Sequence, residues 1–278
     1  MSIVTFWNSQ KEQTGKTLSI AAIATYMAIE HNYRILIVST GKDDKTLDNC
    51  FWEEKKVKKN LGLFGPNTRV AMEEGINGLI KIMKSNKLAP ENVTNYTKII
   101  FKDRLEVLQT YKGSQDEYKE LSKMYPEIIN LANSYYDLVL VDLDTEVDEE
   151  TRRQIIGASN LVVVSLSQRL ASINNFLEFR QNNPMFNTNK ILILIGRYDK
   201  YSKYTIKNIS RYMNEKNKVS TVPYNTLFFE ASEEAKVPDL FLRLRKVSDD
   251  DRNGIFIQEI QRTAENIIYR LQDLQMKM

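Results

Sequence analysis

Seven short apolar runs rich in β-branched residues recur along the chain: SIVTFW (2–7), RILIVS (34–39), RLEVLQ (104–109), DLVLVDL (137–143), NLVVVSL (160–166), KILILI (190–195) and KVSTVP (218–223). A strand with one wet face alternates apolar and polar residues. A run apolar on both faces has to be covered on both, as in a parallel sheet held between two layers of helices. Helical patterns fill the intervals at about 16–30, 115–134, 149–158, 170–182, 203–215 and 226–235, with a long helix at about 252–275. Strand alternating with helix implies right-handed crossovers. The expected fold is therefore α/β: a doubly wound, mostly parallel sheet with helices on both faces. The irregular stretch is 40–100, charged in KDDK and EEKKVKKN and turn-forming in GLFGPN, which reads as a variable, solvated segment.

Composition sets the bounds. A chain of 278 residues, 42% hydrophobic, can bury a substantial core, and open α/β sheets reach this length without splitting, so one domain over 1–278 is expected. A net charge of +3 gives only a mild bias toward anionic partners and does not by itself mark a nucleic-acid binder. The single cysteine, Cys50, rules out an internal disulfide framework, and with the lone His31 it rules out a Cys/His zinc site. These two read as a small apolar filler and a helix-end histidine. No apolar run approaches the ~18 residues needed to span a bilayer, and the first residues carry no leader pattern. The expectation is a cytoplasmic protein without stable membrane insertion, reaching a cell pole or a membrane surface only through a partner.

The first apolar run is followed by Gln10-Lys11-Glu12-Gln13-Thr14-Gly15-Lys16-Thr17. Its second half matches the phosphate-binding loop G-x-x-x-x-G-K-[ST], and it stands where that loop must stand, after a strand and at the opening of a helix. Free N–H groups and the helix dipole at that point favour an anion. Lys16 then reaches the β- and γ-phosphates, and the Thr17 hydroxyl ligates Mg²⁺. A second station is Asp142, at the end of the run YDLVLVDLD, where a carboxylate holds the water shell of the metal.

With these stations in place the chain resembles the ParA/MinD ATPases. Lys11 lies five residues before Lys16, and K-x-x-x-G-K-T is similar to the family's deviant loop K-G-G-x-G-K-[ST]. GINGLIKIMKSNK (75–87), YDLVLVDLD (136–144), ILIGRYDK (193–200) and VPYNTLFFEASEEAKVPDLF (222–241) resemble further family segments in the same order. The resemblance implies ATP or ADP with Mg²⁺, and a homodimer bridged by nucleotide. Lys11 matches the signature lysine that reaches the partner's phosphates and, with Lys16, would act on the reacting phosphate. Thr14, Gly15, Lys16, Thr17 and Leu18 match the nucleotide-holding loop, Thr17 and Asp142 the metal side, and Arg197 and Pro223 the base side.

The departures are as specific as the matches. Glu12 and Gln13 stand where the family has glycines. A carboxylate ~6 Å from a phosphate charge opposes binding by roughly 2–3 kcal/mol at an effective dielectric near 20, about tenfold to a hundredfold in affinity. Ser39 and Gly41 occupy the acidic positions after the second strand, one of which orients the attacking water. Gly196 replaces the asparagine whose amide recognises adenine. Binding with weak or absent hydrolysis is the expectation. Three roles compete: a scaffold organising a pilus or secretion machine, as in the TadZ/CpaE branch; a plasmid or chromosome partition ATPase acting on DNA; and a MinD-like membrane-cycling regulator. Loss of the acids counts against the last two, which need repeated turnover. Phe256, Ile260, Ile267 and Leu271 of the last helix read as core rather than as a membrane-surface face, and Phe228 and Phe229 as core. Lys203, Lys207 and Arg211 read as a solvated helix face before a DNA contact.

Overall fold

Each apolar run forms a strand, and the reason for its double-sided hydrophobicity is visible in the packing. The computed structural model describes residues 1–9, 12–53, 75–85, 88–215, 219–248 and 250–277. Its elements run β1 (Ser2–Trp7), α1 (Lys16–Glu30), β2 (Ile35–Ser39), α2 (Thr46–Phe51), α3 (Gly75–Ser85), β3 (Thr97–Phe101), β4 (Leu105–Leu108), α4 (Gln115–Leu121), α5 (Tyr125–Asn133) and β5 (Leu138–Asp142). They continue with α6 (Glu149–Ala158), β6 (Leu161–Ser167), α7 (Leu170–Asn182), β7 (Ile191–Tyr198), α8 (Ile206–Tyr212), β8 (Val219–Pro223), α9 (Thr226–Glu233), α10 (Val237–Leu244) and α11 (Arg252–Met276).

Among the described residues the strands form one eight-stranded sheet in the order β3-β4-β2-β5-β1-β6-β7-β8. All neighbours are parallel except β3, which runs antiparallel to β4. Successive side chains leave opposite faces of a strand, so each run feeds two cores. Val4, Phe6, Leu138, Leu140, Leu192 and Leu194 pack with α1, α10 and α11 on one face. Ile3, Trp7, Val139, Val141, Ile191 and Ile193 pack with α5, α6 and α7 on the other. α1 is buried from Ser19 to Ala28 on every side, as a central helix with three helical neighbours must be. The edge strand β8 is shielded by α11, whose Thr263 hydroxyl donates to the Thr221 carbonyl at 2.8 Å.

Several expectations shift. The pattern at 115–134 resolves into α4 and α5 joined by a 3₁₀ turn at Ser122–Met124, because Pro126 opens α5 and has no N–H to continue α4. The pattern at 203–215 shortens to α8, started by the Thr205 hydroxyl, which accepts from the Asn208 amide. The segment 40–100 is less irregular than its charge suggests: it contains α2, α3 and the edge strand β3, and 54–74 lie outside the described residues. Phe256, Ile260, Ile267 and Leu271 are core, as read, and so is Phe228; Phe229 is instead 41% exposed. His31 caps the end of α1, and Cys50 is a buried free thiol whose Sγ donates to the Thr46 carbonyl at 3.2 Å. No described helix is long and apolar enough to cross a membrane.

Asp148 starts α6. Its carboxylate accepts from the Thr151 amide and hydroxyl, and these bonds hold its pKa below the ordinary aspartate value. A depressed folded pKa contributes stability that is complete above the unfolded pKa, near 4, and is lost as pH falls through the folded value. Asp148→Ala is therefore expected to cost about 1 kcal/mol at pH 7, with the gap to wild type closing in thermal melts taken progressively below pH ~4.

Candidate functional site

The parallel register brings the C-terminal ends of β1, β2 and β5 level. Phe6 and Ser39 both stand opposite Asp142. The loop after β1, the turn after β2 and the residues after Asp142 therefore meet at one rim, where open α/β sheets bind ligands. β7 and β8 bring Gly196, Arg197 and Pro223 to the same rim.

At its centre Lys16 and Thr17, the first residues of α1, close on Asp142. The Lys16 ammonium lies 2.9 Å from Asp142 Oδ1 and also donates to the Leu143 carbonyl. The Thr17 hydroxyl donates to Asp142 Oδ2 at 2.7 Å. Both partners of the ion pair are largely buried, with side-chain exposures of 11% for Lys16 and 5% for Asp142. Gly15 precedes them in the left-handed conformation, φ 74°, which only glycine adopts without strain, and no side chain caps the helix start. The first amides of α1 are thus open to an anion. Thr14 is buried, and its hydroxyl has no hydrogen-bond partner among the described residues. A hydroxyl beside a carboxylate is also the oxygen-donor pair that Mg²⁺ takes alongside phosphate oxygens. The donor set on this side fits a Mg²⁺-bound polyphosphate.

Glu12 and Gln13 do without the glycines. The Glu12 carbonyl accepts from the Thr14 amide at 2.9 Å, and Gln13 is outside the left-handed region. Lys11 lies outside the described residues.

At the end of β7, Gly196 is the point of closest approach to the loop before α1. A Cβ at Gly196 would stand 2.0 Å from the Thr14 carbonyl oxygen, so the loop before α1 rests directly on the end of β7. Next to it the pairing of β7 with β8 shifts register, and Arg197 takes φ 50° at that irregularity. Such a bulge turns a side chain out of the sheet pattern. The Arg197 stem lies against Gly15, and its guanidinium reaches Gln13 Oε1 at 3.5 Å. Leu18, Arg197, Pro223, Tyr224 and Phe229 enclose about 30 Å³. That holds a water or two, whereas small-molecule pockets run to roughly 300–1,000 Å³. A groove of about 970 Å³ lies beyond Pro223, around Tyr198, Tyr224 and Phe256, and none of residues 14–17 lines it.

The turn after β2 holds a residue that motif reading passed over. Thr40 donates to the Asp142 carbonyl at 3.3 Å, and its hydroxyl accepts from the Asp144 amide at 2.8 Å, so it couples the β2 and β5 ends. Tyr118 donates to the Thr40 carbonyl at 2.5 Å. Burial, and then the charge of Asp144, push the Tyr118 phenol far above its ordinary pKa, which keeps it a donor. The only sequence signal was a hydroxyl residue immediately after a buried strand.

No protein-family model matches the sequence, and no curated protein matches it. Solved structures do match the fold. A ParA family ATPase from Chlorobium tepidum TLS superposes with a TM-score of 0.68 at 14% identity, covering 95% of this chain and 98% of that one. The cell division ATPase MinD of Pyrococcus furiosus gives 0.64 at 16% identity, covering 97% and 99%. The septum site-determining protein MinD of Pyrococcus horikoshii OT3, complexed with Mg-ADP, gives 0.63 at 14% identity, covering 96% and 95%. The chain has the fold of the ParA/MinD ATPases.

Gly196→Ala is expected to lower stability by about 1–3 kcal/mol, because the new methyl must displace the Thr14 carbonyl. Gly157→Ala, in α6 with nothing within 4 Å of the added Cβ, is the control and is expected to be neutral or mildly stabilising in the same denaturant titration.

Proposed function

We propose that this chain is an ATP-dependent dimeric scaffold of the ParA/MinD type, with slow turnover, that positions a pilus or secretion assembly. The observation that carries the reading is the convergence of Lys16, Thr17 and Asp142 at an uncapped helix start, on a fold shared with ATPases. Polyphosphate binding exchanges one partner of Lys16 for another. With a polyphosphate bound, the Lys16 ammonium would hold phosphate oxygens, and Asp142 and the Thr17 hydroxyl would hold Mg²⁺, which would supply charge neutralisation there. Thr14, Gly15 and Leu18 line the nucleotide; Arg197 and Pro223 border the base.

Lys11 keeps its place in the sequence although its glycine neighbours are gone. Contact with the partner's phosphates across a dimer depends on a long flexible cation rather than on loop glycines. Slow turnover is expected because Ser39 is no base near neutral pH and Gly41 has no side chain, so β2 supplies no water-orienting group and any such carboxylate has to come from another strand. Of the acids nearby, Asp43 pairs with Lys42 at 3.5 Å and Asp44 caps the Thr46 amide. Partition on DNA and membrane cycling both consume ATP repeatedly. A scaffold that stays dimeric while nucleotide is bound does not.

Calorimetric titration with ATP and Mg²⁺ is expected to show binding by wild type and at least a tenfold loss in Lys16→Ala. Equal binding by the two proteins would remove the nucleotide reading. Light scattering with ATP and Mg²⁺ is expected to show a dimer that Lys11→Ala shifts toward monomer, without a matching loss of ATP binding. An unchanged monomer–dimer balance would sink the role across the interface.

A further inference from the structure

Gly41 stands where the second strand lacks its acid, yet the space beside it is not empty of carboxylate. An added Cβ at Gly41 would meet only ordinary contacts: Asp44 Cβ at 3.5 Å, and Asp144 Oδ2 and Ser39 Oγ at 3.6 Å each. A carboxylate on residue 41 would thus project into the volume that the Asp144 carboxylate already fills or borders. Asp144 is fixed there by two hydrogen bonds. Its amide donates to the Thr40 hydroxyl at 2.8 Å, its Oδ1 accepts from the Glu146 amide at 2.7 Å, and its Oδ2 is left facing Gly41. The preceding residue, Leu143, gives its carbonyl to Lys16, the lysine at the phosphate site.

We propose that Asp144, carried on the end of β5, supplies the water-orienting carboxylate that the second strand has lost. This rests on the reading of the site as an ATP site. Asp144 Oδ2 accepts a hydrogen of the attacking water, whose oxygen bonds to the γ-phosphorus. The bond from that phosphorus to the β–γ bridging oxygen breaks, and its electron pair leaves with ADP. The water's proton passes by way of the carboxylate to the released phosphate, so Asp144 ends as it began. Thr40 is a positioning residue, because it holds the Asp144 backbone and touches no substrate.

The test exchanges the carboxylate between the two strands. Wild type, Asp144→Asn, Gly41→Asp and the double variant Gly41→Asp/Asp144→Asn are compared in three measurements: ATP·Mg²⁺ binding by calorimetry, phosphate release, and melting temperature without nucleotide. Asp144→Asn is expected to bind ATP like wild type and release phosphate on the order of a hundredfold more slowly, and the double variant to regain most of that loss. Without nucleotide, Gly41→Asp is expected to lower the melting temperature of wild type by several degrees and that of Asp144→Asn by clearly less, since like charges sharing one space repel. The proposal is overturned by unchanged phosphate release in Asp144→Asn, by wild type that binds ATP and releases no phosphate, or by equal melting shifts in both backgrounds. Absence of ATP binding by wild type removes the nucleotide reading, and the Asp144 role with it, and the calorimetry tells that outcome from the others.

Discussion

The parallel ladder joining β1, β5 and β2 fixes everything at the rim. Phe6, Asp142 and Ser39 are held in one row by backbone hydrogen bonds. Those bonds are buried under helices on both faces, where a slip of register would strand every apolar side chain against the wrong layer. The row decides that a residue leaving β1 meets a residue leaving β5. Without it, Lys16 and Asp142 are two charges 126 positions apart in the sequence.

The ion pair they form joins the start of α1 to the end of β5. Charges buried to this degree lose solvation, and the lysine recovers it through Asp142 and the Leu143 carbonyl together. Removing one partner of such a pair typically costs ~3–5 kcal/mol. The pair therefore holds the rim together.

Close contact between the loop and β7 explains what replaced the glycine-rich sequence. Gly196 lets the Thr14 carbonyl lie on the strand end, and the bulged Arg197 covers Gly15 and reaches Gln13. Flexibility given up at residues 12 and 13 is matched by room created at residue 196. The space enclosed beside it is about 30 Å³, bordered by Arg197, Pro223 and Phe229.

Double-sided burial made β1, β2, β4, β5, β6, β7 and β8 legible from the sequence, since a run apolar at both parities has few other solutions. The G-K-T at the start of α1 and the aspartate ending β5 were legible because backbone amides and a metal-side carboxylate are needed at fixed places along a strand–loop–helix unit. The edge strand β3 was not: it is short, and Ile99 on it is 63% exposed, so it lacks the buried signature. Nor were α2 and α10, whose short spans present too few turns for a period to emerge. The sequence by itself determined the sheet, its two-layer cover and the identity of the charged residues at the rim. Only the tertiary structure decided which of them meet: that Asp43 and Asp44 are taken up locally while Asp144 faces Gly41, and that Gly196 makes room for Thr14. Those outcomes depend on side-chain directions and sub-ångström clearances between segments distant in the chain, which no spacing along one strand encodes.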